Sequence, residues 1–131
     1  MSRIIVLVFC VSLVGVAPAL ANNIIGIWQT PPDRKDLTSH IEIDRCGRSF
    51  CGTILRAFNP EGQEVMTKNI GKRLFWDVED LGDGVYGEGE AFVPLINGRT
   101  KNFTLSLDGD VLTVTGRMGP IRSTGIWTRL R

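Results

Sequence analysis

From Asn22 onward, apolar and polar positions alternate with a period of two. His40-Ile41-Glu42-Ile43-Asp44, Phe103-Thr104-Leu105-Ser106-Leu107 and Val111-Leu112-Thr113-Val114-Thr115 each separate one set of side chains from the other. This is the pattern of half-buried strands. No stretch after Asn22 carries the 3.6-residue stripe of an amphipathic helix. Turn residues cut the chain at short intervals: Pro31-Pro32, Cys46-Gly47, Pro60-Glu61-Gly62, Gly82-Asp83-Gly84, Asn97-Gly98, Asp108-Gly109 and Met118-Gly119-Pro120. Asn-Gly and Asp-Gly between alternating runs mark hairpins, because both central residues of a type I′ turn need positive φ. The spacing predicts eight strands, at roughly 25–29, 38–45, 50–57, 72–79, 84–93, 100–107, 110–117 and 123–130. No linker, repeat or low-complexity block divides them, so residues 22–131 form a single all-β domain.

Eight strands joined by hairpins either stack as a sandwich or close as an up-and-down barrel, and closure removes the edges that invite aggregation. The first strand carries Gly26-Ile27-Trp28 and the last Ile126-Trp127-Thr128-Arg129. A Gly-x-Trp near the start with an arginine on the last strand resembles the calycin pattern of lipocalins and avidins. That resemblance implies a barrel closed by pairing of the first and last strands. Gly26, Trp28, Trp127 and Arg129 would lie at the closure, with the arginine over the Trp28 ring.

The first 21 residues change the reading of everything after them. Met1-Ser2-Arg3 is followed by an apolar run from Ile4 to Val16 and by Ala17-Pro18-Ala19-Leu20-Ala21. A basic start, a short apolar core and a small-x-small ending fit a secretory signal peptide cut after Ala21. The competing reading, an uncleaved anchor, would need roughly 20 apolar residues and tolerates Pro18 poorly. Cleavage discards Cys10, places the protein in the periplasm or outside the cell, and removes Arg3. The 15 basic side chains then fall level with the 14 acidic ones. A balanced charge gives no footprint for nucleic acid or anionic membranes, and no transmembrane segment follows the signal.

Cys46 and Cys51 are the cysteines that remain, in Cys46-Gly47-Arg48-Ser49-Phe50-Cys51-Gly52. A zinc site needs about four ligands, and His40 is the sole histidine. A thioredoxin-type pair needs Cys-x-x-Cys at a helix start. In an oxidising compartment two thiols flanking a hairpin tip are expected to form a disulfide that pins the register of the two strands.

Taken in order, Gly26-x-Trp28, Cys46-Gly47 with Cys51-Gly52, the Gly-rich strand near Tyr86, Leu112-Thr113-Val114-Thr115-Gly116 and Trp127-Thr128-Arg129 resemble the bacterial exported domain-of-unknown-function family 2147. The resemblance spans the whole of residues 22–131 and implies a small exported calycin-like β domain. Two positions depart from the family pattern. Met66 stands where an acid precedes Asn69, and Val93-Pro94 stands where the family has Asp-Pro.

Candidate chemistry is sparse. In Tyr86-Gly87-Glu88-Gly89-Glu90-Ala91-Phe92 a period of two puts Glu88 and Glu90 on one face. They would serve either as an acid/base or cation-binding pair, or as a solvated face. The small opposite face, Val85, Gly87, Gly89, Ala91 and Val93, either accommodates Trp76 or leaves room for a ligand. His40 has no serine or cysteine beside it to activate. The stretch 58–71 is the longest connection without a strong period, and Phe58, Val65, Met66 and Ile70 would either close it over a barrel mouth or simply cover the core. No hydrolase, zinc-protease, phosphate-loop or dinucleotide signature occurs, and no cofactor or metal is expected.

The expectation is therefore a non-enzymatic binder of a small apolar or amphipathic ligand, with Trp76, Tyr86, Phe92 and Met66 around the ligand space. The alternative is an envelope protein–protein interaction module, such as a hydrolase inhibitor or assembly factor. An enzyme using Glu88 and Glu90 ranks third.

Overall fold

A computed structural model describes residues 23–94 and 96–131. The expected export segment, residues 1–21, lies outside the described residues. The rest forms eleven strands: β1 (Gly26–Gln29), β2 (Thr38–Cys46), β3 (Ser49–Phe58), β4 (Glu64–Val65), β5 (Arg73–Gly82), β6 (Val85–Gly87), β7 (Glu90–Val93), β8 (Gly98–Thr100), β9 (Phe103–Asp108), β10 (Val111–Met118) and β11 (Ile121–Arg129). All pairings are antiparallel, and the circuit β3-β2-β1-β11-β10-β9-β6-β5 closes on itself through a β3–β5 pairing. Eight staves make the closed barrel: β6 with β7 and β8 with β9 each act as one interrupted stave, and β4 is a short addition to β3.

The first and last strands meet as expected, Trp28 opposite Arg129 and Gln29 opposite Thr128. Backbone bonds extend this seam: Ile27 N–H donates to Arg131 C=O at 2.8 Å, and Leu130 N–H donates to Ile27 C=O at 2.7 Å. Gly26 is required here. Its φ is +147°, and a side chain would collide with the Arg131 carbonyl. Arg129 ties the seam down from inside. Its guanidinium sits 4.3 Å from the Trp28 ring centroid, while Nη1 donates to Ile25 C=O at 2.7 Å and Nη2 to Asn23 C=O at 2.9 Å.

Two predicted strands are broken, for a physical reason. Across the 84–93 stretch, Asp77 on β5 and Glu88 between β6 and β7 both adopt left-handed φ, +56° and +63°. At Gly89 a Cβ would run into the Trp76 and Asp77 backbone, so the two chains approach too closely for any larger residue. The alternation does not survive this kink. Tyr86 faces inward beside Leu105, and beyond the kink it is Ala91 that faces inward beside Phe75. The second break, between β8 and β9, is held by Asn102 N–H donating to Thr100 Oγ1 and by Arg117 N–H donating to Asn102 C=O at 2.7 Å.

A disulfide joins Cys46 and Cys51 across the β2–β3 hairpin. Cys46 pairs with Ser49 and Cys51 with Asp44, so the bond runs diagonally, on the face opposite Ile43 and Phe50. The turn between the strands is Gly47-Arg48, with Gly47 at φ +74°.

Candidate functional site

The barrel interior is packed with side chains. Trp28, Ile41, Ile43, Phe75, Val78, Tyr86, Leu105 and Leu112 are all buried, with Phe50 meeting Tyr86 edge to face at 5.5 Å. Trp28 satisfies its indole N–H on Ile24 C=O at 2.9 Å. Burial pushes the Tyr86 phenol above its ordinary pKa, and Asp80 pushes the same way.

The four residues expected around a ligand are not gathered together. Tyr86 lies in the packed interior, and Met66 is 86% exposed. Trp76 and Phe92 share the outer face of β5 and β7, because Phe75 and Ala91 occupy the inner one. A cation covers each ring: Arg99 lies 5.8 Å from Trp76, and Lys72 lies 5.5 Å from Phe92. Glu88 is exposed at the kink, and Glu90 pairs with Lys101 at 3.5 Å. The single-face geometry expected of these carboxylates is replaced by the break between β6 and β7, where the left-handed φ of Glu88 interrupts the alternation.

The connection over 58–71 is tied down. Asn59 N–H donates to Gln63 C=O and Gln63 N–H to Asn59 Oδ1, both at 2.9 Å, which folds Phe58 and Glu64 against each other as a tight hairpin. Its far end is held by Gly71 N–H donating to Ile54 C=O at 2.7 Å. Ile70 packs on the core.

That hairpin forms one wall of a concavity on the outside of the barrel. Trp28, Ile41 and Ala57 point inward, so alternation sends Gln29, Thr38, His40 and Phe58 outward. The opposite wall is the loop over 30–37. Asp33 Oδ1 accepts from Lys35 N–H at 2.8 Å and Leu37 N–H at 3.0 Å, and Ser39 N–H donates to Thr30 Oγ1 at 2.9 Å. Between the walls lies an open groove of about 660 Å³, with Pro32, Phe58 and Pro60 as its apolar lining and Gln29, Thr38, His40 and Asn59 as its polar groups. The His40 and Phe58 rings sit 4.6 Å apart, tilted by 43°.

His40 also borders a second hollow of about 230 Å³, lined by Ile27, Leu55, Arg56, Leu130 and Arg131. A register slip makes it. Ile41 pairs with Ile54 but His40 pairs with Arg56, so Leu55 is the extra residue of a β-bulge. Arg56 lies 3.4 Å from Glu64 across the surface of β3 and β4. Burial lowers the His40 pKa below its ordinary 6.5, Arg56 lowers it further, and Glu64 acts in the opposite sense.

Sequence reasoning placed no ligand residue in this groove. Pro31-Pro32 and Pro60-Glu61-Gly62 were legible as turns. Only the register shows that both turns rise from the same face around His40.

With this geometry in view, the comparisons with known proteins separate family from fold. A family model described as "Uncharacterized protein conserved in bacteria (DUF2147)" matches residues 26–129. The chain belongs to this family. Among solved structures it is similar to one described as "Protein HP1028 from the human pathogen Helicobacter pylori belongs to the lipocalin family". The TM-score is 0.63 at 17% identity, with 82% of each chain covered. At that identity the likeness shows the fold, a lipocalin-like barrel. No curated protein matches the sequence. Among the described residues, no helix is long and apolar enough to cross a membrane.

Proposed function

We propose that this member of the family is a non-enzymatic binder of a small amphipathic ligand in the bacterial envelope, and that the ligand lies in the outer groove beside His40 rather than in the barrel interior. The observation that carries this reading is the groove itself. Its volume, about 660 Å³, falls within the few hundred to 1,000 Å³ typical of small-molecule sites. It sets an aromatic and two prolines against a few fixed polar groups on walls made rigid by side-chain-to-backbone bonds. The lipocalin-like fold supports a binding role by analogy of architecture. The Cys46–Cys51 disulfide fits an oxidising compartment.

Native mass spectrometry of the protein isolated from its own envelope tests the reading. We expect a bound mass of small-molecule size that is lost in Phe58→Ser while the barrel stays folded. A ligand retained fully in that variant would move the site elsewhere and sink the assignment. A second reading, an interaction module, draws on Val111, Ile126 and Leu130, which are exposed. Pairing of Val111 with Thr128 sets Val111 diagonally beside Ile126 on the outer surface.

A further inference from the structure

The groove and the smaller hollow adjoin at His40, which lines both. Their chemistry is graded. On one side of His40 lie Phe58, Pro32 and Pro60; on the other lie Arg56 and Arg131 with Ile27 and Leu130. The charged residues lining the smaller hollow, apart from His40, are both arginines. The acids nearby stand at its margins: Glu64, paired with Arg56; Glu42, opposite Ile27 on the outer face of β2; and Asp36, on the far wall of the larger groove.

We propose that the ligand is an anionic single-chain amphiphile with a carboxylate head, a free fatty acid in chemical class, whose tail runs along Phe58 and the prolines and whose head is held by Arg56 and Arg131. This rests on the groove reading above and specifies its ligand. A carboxylate matches the fork of a guanidinium, which offers two parallel N–H donors. Arg56 is available for this. Its side chain is 62% exposed, and its bond to Glu64, itself more than half exposed, is long for an ion pair and easily exchanged. The bulge at Leu55 is the structural device that makes room. Without it Arg56 would fall on the inner face, and the row beside His40 would carry Leu55.

Calorimetric titration of the intact folded domain with laurate, dodecanol and dodecyltrimethylammonium, each below its aggregation concentration, tests the proposal. Laurate is expected to bind at least about tenfold more tightly than dodecanol, as a charge-assisted bond implies, with the ammonium weakest. In Arg56→Gln/Arg131→Gln, laurate falls to the level of dodecanol while dodecanol itself is unchanged. Glu64→Gln, which frees Arg56, strengthens laurate a few-fold. Equal binding of laurate and dodecanol to the native protein overturns the head-group assignment and leaves the groove reading standing. Failure of all three probes, with the fold intact by circular dichroism, overturns both.

Discussion

The Arg129 guanidinium rests 4.3 Å from the centre of the Trp28 ring and carries hydrogen bonds to the carbonyls of Ile25 and Asn23, so one side chain of the last strand holds three residues of the first segment. Its Nε–H also donates to Asp110 Oδ1 at 3.0 Å. The Arg129 side chain is 10% exposed, so these contacts are little diluted by water. Arg129→Gln leaves two carbonyls without their donors and removes the cation–π contact. The expected loss is about 2–4 kcal/mol of unfolding free energy, read by urea denaturation. Asp110→Ala removes only the exposed bond and should cost under about 1 kcal/mol.

Tyr86 is the single tyrosine of the chain, which makes its titration directly visible. Burial and Asp80 favour its neutral form, so the folded phenol ionises above 10.0. An unfolded tyrosine releases its proton first as pH rises, so the contribution of Tyr86 to stability is present below 10.0 and lost above it. Tyrosinate absorbance should therefore rise later in the native protein than in urea. A native titration that coincides with the unfolded one would contradict the buried position.

His40 works in the acid direction. Its folded pKa lies below 6.5, because burial and Arg56 disfavour the imidazolium. The unfolded chain therefore takes up the proton first as pH falls. Stability associated with neutral His40 is complete above 6.5 and declines as pH drops through the folded value. The difference in denaturation midpoint between about pH 8 and about pH 5 should be smaller in His40→Gln than in the native protein.

The disulfide closes a short loop between Cys46 and Cys51. Chain entropy assigns such a loop about 2 kcal/mol. The double variant Cys46→Ser/Cys51→Ser should lose about that much in thermal or denaturant unfolding while keeping its far-ultraviolet spectrum. Laurate binding should persist, since neither cysteine lines the groove or the hollow.

The eight barrel staves are legible in local period and dipeptide turns, and the disulfide in two thiols flanking a hairpin tip. The closing strand pair and the arginine over Trp28 are what the resemblance to the calycin pattern implies. The side assignments around Tyr86 were not legible. An unbroken period puts Tyr86, Glu88, Glu90 and Phe92 on one face and the small residues Val85, Gly87, Gly89, Ala91 and Val93 on the other. The paired kink at Asp77 and Glu88 reverses the alternation, so Tyr86 points in and Phe92 out. A kink of this kind arises from two strands fitting each other, and neither strand announces it alone. The smaller hollow was hidden for a similar reason. Leu55 reads as an ordinary apolar residue of a strand until its lack of an opposite number on β2 shows the bulge.

The seam bonds give the smaller hollow a second meaning. Ile27, Leu130 and Arg131 line it, and the same three residues exchange the backbone bonds that close the barrel. A head group settled there would bear on the joint itself, much as a wedge steadies the last stave of a cask. Amide hydrogens of Ile27 and Leu130 would then exchange with solvent more slowly when the hollow is filled, and occupancy could be followed by the clock of the backbone without a label on the ligand.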